Sequence, residues 1–417
     1  MDPRWPERAL FILAVLLNAG LWIVAPHEDP EVGSPLQQIV LGLTYVAAII
    51  GVVAERRTAL RLMRGSMPLV LLVLLAVLST LWSDESWITA RRSFELLGAG
   101  ALSLYFVCRL GLKGFVEAFS AAMAIAAALS VALIFLVPDI GRMQILYEGA
   151  WRGFFVHKNG LGFGMAWGMI SVATVIGYSH GIRRACWIAA FVLMFVLLIG
   201  SQGATAVFAG LILALLASIL LWSRAVRSTR PLFLITLLAS VAILAAEILG
   251  FGIDDVLALT GRDATLTGRT DIWQIVLDAI ADRPILGYGY QAYFASHTIG
   301  AWDPGHAHNG LLQAALDLGL IGVVLVIITF AVGITRASVS FWQGRDYLSS
   351  WPLLAIAYTM LTDVTEDVST SDFRWIVFVA ALFFATEAHQ RHSLASEYKE
   401  NFGINSGGPE QVGIPAL

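Results

Sequence analysis

Charge is what this sequence has least of. Only 13% of its 417 residues are Asp, Glu, Lys or Arg, where a soluble domain carries roughly 25%. The shortfall is uneven, because long stretches carry no charge at all, and that excludes a soluble globular chain. The net charge of −4 says little, since the sign of each loop matters more, and no nucleic-acid partner is expected. Cysteine is nearly absent. Cys108 and Cys186 fall near span ends read below as inner, which predicts free thiols and no disulfide. No small-residue cleavage site follows the first apolar run, so a retained helix is expected there rather than a removed leader. No convincing internal repeat is visible.

What is abundant is apolar sequence, 58% of the chain. A helix needs about 20 apolar residues to cross a hydrocarbon core of roughly 30 Å. Twelve candidate spans follow: 9–25, 36–54, 67–82, 94–108, 115–137, 161–178, 185–200, 203–222, 231–251, 310–334, 349–362 and 373–388. The expected fold is therefore an all-α polytopic membrane protein of about twelve transmembrane helices. Residues 1–251 would hold the first nine spans and an outer loop at 138–160. Residues 252–309 form one large outer loop, 310–390 hold three more spans, and 391–417 form a polar tail expected to be disordered.

The positive-inside rule orients this map. Arg4, Arg8, Arg56, Arg57, Arg61, Arg64, Arg109, Lys113, Arg183, Arg184, Arg224, Arg227, Arg230, Arg336, Arg345, Arg391 and Lys399 lie in alternate loops, so 17 of the 26 basic residues share one face. That face and both termini are read as cytoplasmic, which places the protein in a bacterial inner membrane with the large loop in the periplasm. The opposite loops are acidic, with His27, Glu28, Asp29 and Glu31 in one and Asp363, Glu366, Asp367 and Asp372 in another. Nine basic residues remain outside, among them Arg142, Arg152, Lys158, Arg262, Arg269 and Arg283, clustered in the two loops 138–160 and 252–309. Taken singly, each fits an ordinary salt bridge to Asp139, Glu148, Asp263 or Asp271 about as well as anything else. Together they suggest a face that binds an anion.

The large loop contains an amphipathic helix. Thr267 to Asp271 read as its start, and Ile272, Ile275, Val276, Ala279 and Ile280 recur at helical spacing until Pro284. Such a helix is expected to lie along the membrane surface. Gly287-Tyr288-Gly289-Tyr290 then read as a flexible aromatic turn. Beyond it comes His306-Ala307-His308-Asn309-Gly310 at the mouth of a membrane helix. Asn309 suits an N-cap, the helix N-terminus suits phosphate, and His308 can exchange a proton near neutral pH. Three readings compete for these histidines. They are a solvated cap, a zinc site made with His297, Asp303, His306 and His308, or a general base working beside arginines that hold an anionic leaving group. For a lone histidine the structural reading comes first. The zinc spacing is irregular, and no metal or cofactor is expected.

These residues carry a resemblance. His308-Asn309, nine residues, then Gly319-Leu320-Ile321-Gly322 is similar to the signature of the O-antigen ligase and polysaccharide polymerase superfamily. Gly268-Arg269-Thr270-Asp271-Ile272-Trp273 resembles its arginine motif, and Arg152-Gly153-Phe154-Phe155-Val156-His157-Lys158-Asn159-Gly160-Leu161-Gly162 resembles its motif before the sixth span. One departure stands out. Family members often carry Ser-Arg where this chain has Ser201-Gln202, and Arg142 or Lys158 are the available substitutes.

The resemblance implies a fold of the GT-C type and glycan transfer outside the membrane. The donor would be an oligosaccharide on undecaprenyl pyrophosphate. The acceptor would be a sugar hydroxyl on lipid A core or on a second lipid-linked repeat. His308 would be the base, and Arg269 with Arg152 would stabilise the departing pyrophosphate. Arg142, Lys158, His306 and Asn309 would contact substrate. A flippase and a chain-length regulator are implied partners. An exopolysaccharide or O-antigen polymerase is the leading expectation, and an O-antigen ligase is the close alternative. A transporter and a non-enzymatic assembly scaffold are weaker. Intramembrane charges are few, Glu247 being the main one, and a scaffold would leave the outer arginines unexplained. Three residue sets are assigned ordinary roles. Trp82, Trp87, Trp151 and Trp302 read as interface anchors, Gly162, Gly164 and Gly168 as a packing face, and Tyr288, Tyr290 and Tyr293 as packing rather than sugar-stacking groups.

Overall fold

Apolar runs with no polar partners in lipid must close their backbone hydrogen bonds internally, and helices do this. The structure, a computed structural model, describes residues 4–20, 35–144, 147–203, 206, 210, 269–297, 305–344, 346–364 and 373–401. Its helices are α1 (Trp5–Ala19), α2 (Pro35–Ala54), α3 (Arg56–Gly65), α4 (Met67–Leu78), α5 (Ser86–Leu136), α6 (Pro138–Gly141), α7 (Lys158–Tyr178), α8 (Gly181–Gly200), α9 (Arg269–Asp282), α10 (Tyr293–Ser296), α11 (Gly310–Gln343), α12 (Trp351–Asp363) and α13 (Phe373–Asn401). Among the described residues there is no strand. Five of these helices are long and apolar enough to cross a membrane, six if the bent pair α3–α4 is taken as one span. The all-α polytopic expectation holds. The two spans expected at 203–222 and 231–251, Glu247, and the acidic loops around Glu28 and Glu366 lie outside the described residues, so the count of twelve is not fixed by them.

Lipid tails are as apolar as leucine, so packing contacts and buried hydrogen bonds hold these helices together. The first half of α13 is the centre, with Trp375 to Ala385 buried without a gap. It is tied to α5 twice, by Trp375 Nε1 donating to the Leu96 carbonyl (3.1 Å) and Ser103 Oγ donating to the Ile376 carbonyl (2.8 Å). Phe115, Trp351 and Phe384 form an aromatic triangle between α5, α12 and α13. The glycines of α7 each allow a close approach, though to different neighbours and not along one face. A Cβ at Gly162, Gly164 or Gly168 would run into Ala206, Phe155 and Met123 respectively. By contrast α2 buries only Tyr45 and Ala48 and exposes Leu36, Ile39, Leu43, Val46 and Ile50 to lipid.

Two long helices are broken, each at a glycine in the left-handed region. α5 breaks at Gly111 (φ 63°, ψ 173°), which separates the two spans expected on either side of Arg109 and Lys113. α11 breaks at Gly319 (φ 64°, ψ −163°). That second break receives the large loop. Tyr288 N and Gly289 N donate to the carbonyls of Leu316 and Asp317 (both 2.9 Å), and Leu320 N donates to the Pro284 carbonyl (2.8 Å). Those bonds stand in for helical ones lost at the break. The end of α4 closes the other side of the loop. Trp82 Nε1 donates to the Leu286 carbonyl (3.0 Å), Tyr290 N donates to Ser79 Oγ (2.9 Å), and Arg283 pairs with Asp84 (2.9 Å).

Three expectations need correction. The apolar face of α9 is not laid on lipid. Ile272, Val276 and Ala279 are buried against Tyr288, Tyr293, Phe294, Ala307 and Leu316. The aromatic turn is likewise no flexible linker, since Tyr288 and Tyr290 are buried and their backbone is bonded into the broken helix. At the C-terminal end, α13 continues through Arg391, which pairs with Glu387, as far as Asn401. The polar tail therefore starts as helix.

Candidate active site

The His306–Asn309 turn is held from every side. Asn309 caps α11 as its residue type predicts. Its Oδ1 accepts from Leu312 N (3.0 Å), and its Nδ2 donates to the Val364 carbonyl at the end of α12 (3.0 Å). Ala307 is buried, its N–H donating to Gln313 Oε1 (2.7 Å) and its carbonyl accepting from Trp273 Nε1 (3.0 Å). Gln313 Nε2 donates in turn to Asp317 Oδ1 (2.9 Å), a side chain 1% exposed. The chain Ala307–Gln313–Asp317 thus runs from the turn to the break at Gly319. Side-chain networks buried in this way rigidify what they join.

His308 itself has φ 50°, a left-handed conformation that non-glycine residues seldom adopt and that surrounding structure must enforce. Its N–H donates to His306 Nδ1 (3.1 Å), and the two rings lie 4.0 Å apart, tilted by 50°. His297 does not join them. It stacks on Tyr293 (4.3 Å, 4°). Among the described residues no three His, Cys, Asp or Glu side chains are placed to hold a metal ion, and Asp303 lies outside them.

The helix N-terminus read as a phosphate site is already close to an anion. Gly310 begins α11, and a Cβ there would collide with the Asp363 carboxylate. A carboxylate at that end of a helix is favourable. Asp363 and Asp317 also line a cavity of about 50 Å³ whose other walls include Leu72, Leu96, Phe330, Trp375 and Phe378.

The other expected residues form a second group. Arg152 Nε donates to the Ile140 carbonyl (2.6 Å) and Nη1 to Val156 (3.1 Å), and Arg142 Nε donates to Ile134 (3.3 Å). Among the described residues neither pairs with Asp139 or Glu148; Asp263, another expected partner, lies outside them. Arg152 fastens the 138–160 loop through its own carbonyls, and Arg142 ties it to the end of α5. Lys158 is buried, with Nζ 3.2 Å from the Gln202 carbonyl and 4.1 Å from the Tyr147 ring centre. Gln202 stands at φ 51°. The residue in place of the expected arginine therefore has a lysine cation against its backbone. His157 caps α7 by accepting from Asn159 N (3.2 Å), and burial, followed by the Lys158 and Arg152 cations, pushes its pKa down to about 4. The two groups meet different faces of α13. Phe155 meets Phe373 (6.0 Å), while Trp375 lines the cavity beside Asp363. Arg269 opens α9 one turn before Trp273, so the helix that begins with it is bonded to the histidine turn.

Sequence reasoning passed over Trp273, Gln313, Asp317 and Asp363 as site residues. Gln313 and Asp317 carried a usable signal, being two polar groups four apart in an otherwise apolar helix. The interface reading of the tryptophans is mixed. Trp87 is exposed, Trp82 clamps the loop, and Trp151 packs against Gly200 and Phe135. Tyr288 and Tyr293 pack on one another at 4.9 Å, as expected for non-stacking roles.

Residues 189–327 match a family described as O-antigen ligase. The chain is also similar to the exopolysaccharide production protein ExoQ of Rhizobium meliloti (strain 1021), at 32% identity over 193 residues, which are 42% of this chain and 43% of the relative. The match thus spans less than half of the relative's own length. The family region contains α9, the histidine turn and the break at Gly319.

Proposed function

We propose, on the premise that this chain carries the membrane domain of the O-antigen ligase and polysaccharide polymerase superfamily, that it joins glycans carried on undecaprenyl pyrophosphate at the outer face of the bacterial inner membrane. The observation that carries this reading is the clamped histidine turn. Its hydrogen bonds to Trp273, Gln313 and Val364 present His308 at the mouth of a broken helix, in a strained conformation. A base that must meet a mobile acceptor gains from being held still.

In this reading the acceptor hydroxyl gives its proton to His308 as its oxygen attacks the anomeric carbon. The bond from that carbon to the pyrophosphate oxygen breaks, and undecaprenyl pyrophosphate departs as an anion. Single displacement inverts the anomeric centre. The leaving group is already good, so no general acid is needed. Arg269 stabilises the charge that builds on it, and Arg152, Lys158, Arg142, His306 and Asn309 order the donor and the loop around it. Lys158 supplies the cation beside Gln202.

Polymerisation of an exopolysaccharide is the first reading, because the relative's name is that of an exopolysaccharide production protein. Ligation of polymer to lipid A core is the second, from the family's own description. A flippase and a chain-length regulator would act on either side of the step. Purified protein given lipid-linked repeats decides between them. A ladder of longer chains marks a polymerase, and transfer only after lipid A core is added marks a ligase. His308→Ala and Arg269→Ala are expected to abolish either product while the protein still inserts, and a chelator is expected to change nothing. Normal product from the His308→Ala variant refutes the assignment. Activity that vanishes in chelator moves the chemistry to a metal.

A further inference from the structure

We propose that α3 is a binding site for the phosphodiester headgroup of an anionic phospholipid in the leaflet at the arginine-rich end of the protein. The helix is bent 95° from α4, which continues the chain into the bilayer. It therefore lies across the direction of a spanning helix. Its sequence, Arg56-Arg57-Thr58-Ala59-Leu60-Arg61-Leu62-Met63-Arg64-Gly65, buries Ala59 and Leu62 and exposes all four arginines.

At 100° per residue, Arg56, Arg57, Arg61 and Arg64 fall within one arc, with exposed Leu60 inside it. That arrangement of cations around an apolar side chain suits the boundary between headgroups and acyl chains. Among the described residues these four guanidiniums have no carboxylate or hydrogen-bond partner. Elsewhere at the same end, several arginines are satisfied by protein. Arg109 is held by Glu7 and Glu55, Arg8 and Arg183 by Glu117, and Arg336 by the Gly65 carbonyl and Thr386. Glu55, which precedes α3, is thus already committed to Arg109.

The helix is also fixed in place. Ser66 Oγ meets Thr386 Oγ1 (2.9 Å), and Gln390 Nε2 donates to the Arg61 carbonyl (3.1 Å). A preformed row of planar, bidentate cations over about 12 Å of helix matches phosphate oxygens better than isolated lysines would.

The test is native mass spectrometry of the full-length protein released from nanodiscs of equal phosphatidylglycerol and phosphatidylcholine. Each arginine near an anionic surface is worth about fivefold in binding. The wild type is expected to keep phosphatidylglycerol over phosphatidylcholine by about tenfold or more, and Arg57→Gln/Arg61→Gln/Arg64→Gln to bring the ratio to parity. Arg57→Lys/Arg61→Lys/Arg64→Lys keeps every charge, and hence the topology. It is expected to lower the ratio about two- to threefold through loss of bidentate pairing. Parity in the wild type overturns the proposal, and so does an unchanged ratio in the glutamine variant. Displacement of the lipid by millimolar glycerol phosphate would make the site one for free phosphate and overturn the lipid assignment. If the glutamine variant fails to insert, the lysine variant decides, and an unchanged ratio there refutes the site.

Discussion

Replacing Gly319 with alanine tests whether the break in α11 positions the histidine turn. The residue holds φ 64° and ψ −163°, a region open essentially to glycine alone, and forcing a side chain into it costs about 1–3 kcal/mol. The added Cβ would also run into the Ile285 carbonyl. Backbone shifts of that kind cost about 1–3 kcal/mol. The cheapest relief is for the Pro284–Tyr290 segment to move away, which gives up the bonds from Leu320 to Pro284 and from Tyr288 and Gly289 to the helix. Taking about 2 kcal/mol, the sum of the two low ends, the ratio of clamped to displaced arrangements falls by roughly 30-fold. Because α9, Trp273 and the loop are packed as one unit with Ala307, turnover should fall by about that factor. Glycan transfer by purified protein measures it, with the amount inserted in the membrane measured beside it. Gly42→Ala is the control, since a Cβ there meets nothing within 4 Å. Turnover of Gly319→Ala within about threefold of wild type, at equal insertion, would show that the break does not hold the site.

Gln313→Leu should leave the buried Ala307 N–H without its acceptor, costing about 1–3 kcal/mol, and remove one hydrogen bond from Asp317. Slower transfer and a lower melting temperature are both expected, and a change in neither would contradict the network. His157 ties stability to pH. Its folded pKa of about 4 lies below the ordinary value near 6.5, so the unfolded chain binds the proton first. Stability should therefore fall as pH drops from about 6.5 towards 4, by at most about 3 kcal/mol, and no further below. Melting curves of wild type and His157→Gln across that range check it, and parallel curves would refute the assignment. Lys158→Met should raise the His157 pKa by removing a neighbouring cation but leave it below 6.5, because burial is the larger cause. Titration by NMR reads this directly.

Much of the architecture is legible in the sequence because the membrane imposes it. Long uncharged runs have few alternatives to helices, and Asn309 sits where a short polar side chain can satisfy a helix end. The glycines of α7 were legible as sites of close packing because small residues have few other uses in lipid, but which neighbour each one admits was not. Other features depended on what lies across space. The periodicity of α9 announces an apolar face, but apolar residues look the same whether lipid or protein covers them, and only the fold shows Tyr288, Tyr293 and Leu316 doing so. Arg142 and Arg152 read as anion ligands or ion pairs, and only the tertiary structure shows that some of their donors hold the carbonyls of Ile134, Ile140 and Val156. The break at Gly319 was visible only as a glycine at a familiar spacing. Glycine permits positive φ without requiring it, and what requires it is the Ile285–Leu286 backbone arriving from a different part of the chain.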